Sequence, residues 1–281
     1  MRCEYDLHVH STFSDGTLPP RAIIELALAQ GLTGISITDH DTLNGLQETI
    51  SYIDANSVNI DFVPGIELNT EPEEEGSEIH ILGYYIEHDH AGFKARLGEI
   101  RDQRKNRALQ IVDKLNKLGF AIRFDQVARL AGSDLIGRPH VAMAMIEAGY
   151  AENIEEVFNQ YIGYGRPSYV RRYKFSPREA IELIKASGGI AVLAHPGLIA
   201  DQSLLKTLIK AGIEGLEAYY PQHTEEQTLA YLRLARENNL LITGGSDFHG
   251  PGSSESRARL GAAGIDKEML MRLKARKYES T

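Results

Sequence analysis

Short apolar runs recur along this chain at Tyr5–Val9, Gly34–Thr38, Phe62–Ile66, Ile79–Tyr84, Ile190–Ala194, Gly215–Ala218 and Leu241–Thr243, and most are separated by helix-patterned segments. Strand–helix alternation of this kind calls for a parallel sheet wound with right-handed crossovers. The residues able to do chemistry cluster where these runs end: His8 and His10, Asp15, Asp39-His40-Asp41, Glu67, His80, His195, and Asp247-Phe248-His249. Side chains so distant in sequence meet only where one architecture gathers strand ends at a single mouth. Seven strands with chemistry on most of them favour a closed or nearly closed α/β barrel over an open sheet, whose site sits at one crevice.

The helices between the runs carry start and stop signals. Pro19-Pro20 opens one that Gly31 ends, and Ser176-Pro177-Arg178-Glu179 opens another that Gly188-Gly189 ends. Further helices are expected at Ser203–Ala211, Glu225–Asn238 and Lys267–Arg276. The alternation fails between residues 98 and 173, where only helical patterns are found. Ala108, Ile111, Val112, Leu115 and Leu118 share one face, and shorter helices are expected at Asp125–Ala131, Pro139–Ala148 and Ile154–Ile162. This stretch reads as an inserted helical subdomain, with residues 1–97 and 174–281 forming the barrel. Glu71–Glu78 reads as an exposed acidic loop.

Composition narrows the function. With 281 residues, 42% hydrophobic and 25% charged, the chain is an ordinary globular protein. A net charge of −9 argues against coating long nucleic acid. Between Gly98 and Arg178, however, fourteen Lys and Arg face nine Asp and Glu, so the helical subdomain is basic within an acidic chain. Cys3 is the one cysteine, so a metal site must use nitrogen and oxygen ligands. No apolar segment is long enough to span a membrane, and no secretory pattern opens the chain, which reads as cytoplasmic. No obligate protein partner is implied.

A strand points alternate side chains to one face, so His8 and His10 can grip one ion. One such pair is a weak signal; six of the ten histidines standing at strand ends with carboxylates is a strong one. Imidazole and carboxylate without thiolate suit Mn²⁺, Fe²⁺ or Zn²⁺. Nine such residues exceed what one ion can use, which implies two or three ions sharing a bridging carboxylate.

The series His8-Val9-His10, Asp15, Thr38-Asp39-His40-Asp41, Gly65-Ile66-Glu67, His80, His195-Pro196 and Asp247-Phe248-His249 resembles the PHP (polymerase and histidinol phosphatase) metal-dependent phosphoesterases. The resemblance covers the chain outside the helical insertion, with all four motifs in order, and the insertion is similar to that of the TrpH- or YciV-like subgroup. That subgroup includes nucleoside 3′,5′-bisphosphate phosphatases and a 5′-to-3′ exoribonuclease acting on short RNA. The resemblance implies a distorted (β/α)₇ barrel with a trinuclear site. Carried over by motif, His8, His10, Glu67 and Asp247 would hold the first ion; Glu67, His80 and His195 the second; and Asp15, His40 and His249 the third. Some relatives carry histidine in place of Asp15. The implied chemistry is attack on phosphorus by a hydroxide held between two ions, with the third neutralising developing charge. Asp39 and Asp41 are candidates for relaying a proton to the leaving group, or for orienting His40 and its neighbours.

Substrate-reading residues are expected in and beside the basic insertion. Arg138 and His140 lie at a helix start, where free backbone N–H groups favour an anion. Arg171 and Lys174 belong to a second basic run, whose bland alternative is a solvated face, and together these clusters suggest a lid. Arg101, Arg104, Lys105 and Arg107 read as a solvated helix face. Tyr219-Tyr220 and His223 follow the sixth strand, which supplies no ligand in this reading; the aromatic pair could stack a base, and His223 could donate to phosphate. His88 and His90 read as exposed. The favoured function is removal of the 3′-phosphate of a nucleoside 3′,5′-bisphosphate. A 5′-to-3′ exoribonuclease on short 5′-phosphorylated RNA comes second and histidinol-phosphate phosphatase third, with a non-catalytic scaffold as the contrasting class.

Overall fold

The computed structural model describes residues 3–71, 78–132, 135–171, 173, 175–251 and 259–279. Its order is β1 (Tyr5–Val9), α1 (Pro20–Ala29), β2 (Gly34–Ile37), α2 (Asn44–Ala55), β3 (Asp61–Phe62), β4 (Gly65–Thr70), β5 (Ile79–Tyr84), α3 (Ala91–Lys117), α4 (Phe124–Ala131), α5 (Arg138–Glu147), α6 (Ile154–Val157), α7 (Pro177–Ala186), β6 (Ile190–Leu193), α8 (Leu204–Lys210), β7 (Gly215–Tyr219), α9 (Glu225–Glu237), β8 (Leu241–Gly244) and α10 (Lys267–Glu279). The chain divides into two compact units, residues 1–94 with 174–281, and residues 95–173. Most of the acidic loop expected at Glu71–Glu78, and Lys174 itself, lie outside the described residues.

The first unit is mixed α/β, with strands in two sheets, β1-β2-β3 and β4-β5-β6-β7-β8. Single bridges join Val9 to Phe248 and His40 to Glu67, and the buried Tyr84 hydroxyl on β5 donates to Leu7 O on β1 at 2.9 Å. Apolar side chains from both sheets share one core, including Leu7, Leu82, Tyr84, Val192 and Ala194. Ile23, Ile24 and Ala27 of α1 pack with Val9, Ile35 and Ile37. The Ser176 hydroxyl accepts the Glu179 N–H at 3.2 Å while the Glu179 carboxylate accepts the Ser176 N–H at 2.8 Å, the reciprocal cap expected from the sequence.

Three expectations need correction. The strand assigned to Phe62–Ile66 is two strands in different sheets, β3 paired with β2 and β4 with β5, and Pro64 between them has no N–H to give a ladder. The sheet is not wholly parallel, since β5 runs antiparallel to both β4 and β6. The connection from Thr70 to Ile79 is too short for a parallel crossover, which takes about a dozen residues or more, so the chain must turn back on itself. Finally, α2 lies where no helix was expected: Asn44-Gly45 reads as a turn, and few of its residues are buried.

The second unit has its own core of Ile111, Leu115, Val127, Val141, Met145, Val157 and Ile162, drawn from α3 to α6 and the π-helical turn Phe158–Ile162. Arg107 Nε donates to Val170 O at 2.9 Å and Lys114 Nζ to Tyr169 O at 2.6 Å. Arg107 therefore holds chain to chain here, where a solvated helix face was expected.

Candidate metal centre

The antiparallel course of β5 explains how His80 reaches the other ligands. His80 is the second residue of its strand, and the reversed direction brings that end beside the finishing ends of parallel strands. Asn69 on β4 pairs with it, and Ala194, just after β6, donates its N–H to His80 O at 3.1 Å. Glu67 lies in the middle of β4, with Ile66 and Leu68 buried on its opposite face.

Glu67, 1% exposed, is the hub. Its Oε2 lies 3.1 Å from His8 Nε2, His10 Nε2 and His40 Nδ1. Its Oε1 lies 2.9 Å from His80 Nδ1 and 3.2 Å from His195 Nε2. Asp247 Oδ1 stands 3.5 Å from His8 Nε2 and 3.2 Å from His10 Nε2. Asp15 Oδ1 is 3.2 Å from His249 Nε2, and its Oδ2 is 4.0 Å from His40 Nε2. Three groups of donor atoms result: His8, His10, Glu67 and Asp247; His40, Glu67 and His80; and His10, Asp15, His40 and His249. Eight of the nine ligand candidates from the sequence fall in these groups. His40 and His10 each stand in two groups, and His195 reaches Glu67 beside His80.

These donors fit a cation on two counts. Donors bound at about 2.0–2.1 Å to one small ion are separated by about 2.8–3.4 Å along the edges of its coordination polyhedron, which is close to the spacing around Glu67. In addition, His10 Nδ1, His40 Nδ1, His80 Nε2 and His249 Nε2 are buried with no well-aligned hydrogen bond among the described residues, although His40 Nδ1 and His249 Nε2 lie 3.1 and 3.2 Å from carboxylate oxygens, an expensive arrangement for protein alone.

The electrostatics point the same way. Burial alone would raise the Glu67 pKa, yet the surrounding imidazoles of His8, His40 and His80 hold it well below the usual carboxylate range. Burial would lower His10, but Asp247, Glu67 and Asp15 push it up to about 10; His80 rises to about 9 against burial through Glu67 and Glu78. His40 goes the other way, pushed down by burial to about 4. The carboxylates therefore demand positive charge, which protons supply when cations do not.

Local backbone strain concentrates here. Asp41, His195 and Asp247 have φ of 49°, 25° and 55°, in the left-handed region that side chains disfavour. Such strain persists only where the surroundings over-determine it. Asp247 donates its N–H to His8 O at 2.8 Å and accepts the Tyr220 hydroxyl at 3.0 Å. Gly245 makes this approach feasible, because a Cβ there would strike the His8 backbone. Asp41 donates its N–H to Glu67 O at 2.9 Å, and its carboxylate accepts both the backbone and side-chain N–H of Asn69 at 3.0 Å. Asp39 accepts Ser11 N–H, Ser11 Oγ and Ser14 Oγ, each at 2.7 Å.

The substrate-reading candidates are placed differently. Both His223 nitrogens are engaged: Nδ1 lies 3.0 Å from Ala218 O, and Nε2 accepts the Gly197 N–H at 3.1 Å. It pins two loops together and presents no donor to a phosphate, contrary to the sequence expectation. His140 Nδ1 accepts the Gly137 N–H at 3.0 Å, capping α5. Arg138 lies over the Phe158 ring, 5.1 Å from its centroid. Arg171 is exposed, and Lys174 lies outside the described residues. His88 Nε2 lies 3.3 Å from Asp89, and His90 Nδ1 accepts the Phe93 N–H at 3.1 Å, both away from Glu67.

Tyr220, expected from the sequence as part of a base-stacking pair, has a different contact here, and Glu217 was not singled out at all. Tyr220 supplies the hydroxyl on Asp247 and sets its ring 5.4 Å from that of His195. Glu217, fully buried on β7, lies 2.9 Å from His8 Nδ1. An acidic residue between Leu216 and Ala218 in an otherwise apolar strand was the available signal.

Comparison with known proteins agrees with this geometry. The chain is 36% identical over 256 residues, covering 89% of itself and 92% of that protein, to a 5′-3′ exoribonuclease of Haemophilus influenzae. It is 33% identical over 253 residues, covering 88% and 87%, to a 3′,5′-nucleoside bisphosphate phosphatase of Chromobacterium violaceum. A solved structure of an amidohydrolase from Chromobacterium violaceum, with bound sulfate and no metal, superposes with a TM-score of 0.78 at 29% identity, over 97% of this chain and 96% of that one. The PHP domain model matches residues 6–243, a span that begins within β1 and ends within β8, and the chain belongs to the PHP domain family.

Proposed function

We propose that this metal-dependent phosphoesterase removes the 3′-phosphate of nucleoside 3′,5′-bisphosphates. The observation that carries the reading is Glu67, one buried carboxylate whose two oxygens meet five imidazoles, as a bridge between ions requires. His8, His10, Glu67 and Asp247 would hold one ion, and Glu67, His80 and His195, with His40 adjacent, a second. Asp15, His40 and His249 would hold a third. The nitrogen and oxygen donors suit Mn²⁺, Fe²⁺ or Zn²⁺. Divalent ions bound there supply Lewis acidity toward phosphoryl oxygens and lower the pKa of water.

The chain's own residues hold this arrangement in place. Asp39, with three hydrogen bonds from Ser11 and Ser14, anchors the turn that leads to Asp15. Asp41 clamps Asn69, the neighbour of His80 across the β4–β5 pair. These contacts favour an orienting role for both aspartates over proton relay. The bridges from Val9 to Phe248 and from His40 to Glu67 support reading the two sheets as parts of a distorted (β/α)₇ barrel. Recognition of the second phosphate is assigned to the basic residues Arg138, His140, Arg171 and Lys174.

The second reading is a 5′-3′ exoribonuclease on short RNA, favoured by the Haemophilus influenzae relative. The same side chains would serve a phosphodiester. Product analysis of the Mn²⁺-loaded protein decides between them. Release of phosphate from adenosine 3′,5′-bisphosphate well ahead of mononucleotide release from a 5′-phosphorylated ribo-oligomer is expected. The reverse order would establish the second reading.

A further inference from the structure

We propose that Glu217 is a positioning residue that fixes two metal ligands at once, one for each of two ions. It is fully buried on β7. Its two oxygens are divided between partners: Oε1 lies 2.9 Å from His8 Nδ1, and Oε2 accepts the backbone N–H of His195 at 2.7 Å.

The two contacts do different things. His8 turns Nε2 toward Glu67 and Asp247, at 3.1 and 3.5 Å. An imidazole offers a lone pair from Nε2 only when its hydrogen sits on Nδ1. A carboxylate has acceptors only, so Glu217 enforces that tautomer and sets the ring's orientation. At His195 the problem is the backbone, whose φ of 25° is strained for any side-chain-bearing residue. The short bond to Glu217 holds the chain in that conformation, and the ring then stands with Nε2 3.2 Å from Glu67 Oε1. His8 is assigned to the first ion and His195 to the second, so one carboxylate orients a ligand of each.

Glutamine in place of Glu217 keeps the shape but offers one acceptor and one donor group. With its oxygen toward His195, the amide N–H₂ faces His8 Nδ1 and drives the imidazole hydrogen onto Nε2, removing the lone pair. Flipped, it sets two donors against each other at the strained His195. One ligand is lost in either orientation. Aspartate keeps both acceptors but is one methylene too short to reach both partners.

The inference rests on His8 and His195 being metal ligands. The test is Mn²⁺ titration by calorimetry of the chelator-stripped protein, with urea unfolding of the same stripped samples and thermal melts with and without Mn²⁺. Glu217→Gln is expected to bind Mn²⁺ roughly ten- to a hundred-fold more weakly and to gain less thermal stability from it, with Glu217→Asp between Gln and the parent. Should Glu217→Gln fail to fold, Glu217→Asp alone carries the comparison. Parent-like Mn²⁺ affinity and stoichiometry in the folded variants would overturn the proposal, including the case where only stripped-state stability falls. His195→Asn with full metal content would instead remove the ligand assignment beneath it.

Discussion

His8 Nε2 and Glu67 Oε2 lie 3.1 Å apart although 59 residues separate them in the chain. Both side chains are buried, and neither position makes sense as apolar core. The contact exists because β1 and β4, in different sheets, each turn one polar face inward at the same end. What they share there is a demand for positive charge.

Glu67→Gln removes the charge shared by the converging imidazoles while keeping the shape. Metal content and turnover should both fall, turnover by roughly a hundred-fold or more. Elemental analysis and phosphate release on one preparation check this. Full metal occupancy with a near-normal rate would rule out a bridging role.

His195→Asn should abolish most activity, whereas His88→Asn and His90→Asn should behave as the parent does. His195 points at Glu67, while His88 pairs with Asp89 and His90 caps α3. Steady-state rates of the three variants separate ligand from look-alike. An essential His88 would contradict the placement of β5.

The metal-free protein should lose stability as pH rises from 7 to 10. His10 and His80 have folded-state pKa values raised to about 10 and about 9 from a usual 6.5. The stabilisation from protonating them is therefore complete below the unfolded value and disappears as pH climbs through the folded ones. A bound divalent ion supplies that charge instead, so apparent metal affinity should rise over the same interval. Thermal melts with chelator and with Mn²⁺, at pH 7 and 9.5, should diverge at the higher pH. Parallel curves would contradict the assigned protonation.

Cys3 should resist alkylation while the protein is folded. Burial first, then Asp6 and Glu4, push its pKa from 9.0 to about 12, and Sγ donates to Ala263 O at 3.3 Å. At pH 8 the thiolate fraction is then about a thousand-fold lower than for an unperturbed thiol. Iodoacetamide labelling followed by mass spectrometry, native against urea-unfolded, measures the difference. Rapid native labelling would contradict it.

Arg138→Ala tests recognition of the phosphate that is not cleaved. If Arg138 makes the proposed charge-assisted contact, worth roughly 1.5–3 kcal/mol, its loss is expected to lower kcat/KM roughly ten- to a hundred-fold on a bisphosphate. A simple monophosphate should be hydrolysed equally by both forms. Equal losses on both substrates would assign Arg138 to the reacting phosphate, and no loss on either would return it to packing on Phe158.

The ligand residues were legible because each carries its chemistry openly: a His-x-His pair, an Asp-His-Asp run and an Asp-Phe-His run stand out at the ends of apolar segments. The direction of β5 was less visible, yet the short link between β4 and β5 and the position of His80 at the start of its strand both pointed to a reversal. α2 was hidden by Asn44-Gly45, which mimics a turn. Glu217 escaped, and the contact of Tyr220 with Asp247 was not foreseen, because both roles are relational. Nothing in Gly215–Tyr219 says which strand lies beside it, and only the fold places Glu217 under His8. His223 misled for the same reason, since its two backbone partners are invisible from the sequence.

Anomalous diffraction from crystals grown with Mn²⁺ tests the metal centre most directly. Peaks are expected between His8, His10, Glu67 and Asp247, and between Glu67, His80 and His195, with Glu67 contributing to both. Manganese bound elsewhere, or a Glu67 carboxylate that touches no ion in a protein still active with Mn²⁺, would contradict a metal centre built around this residue.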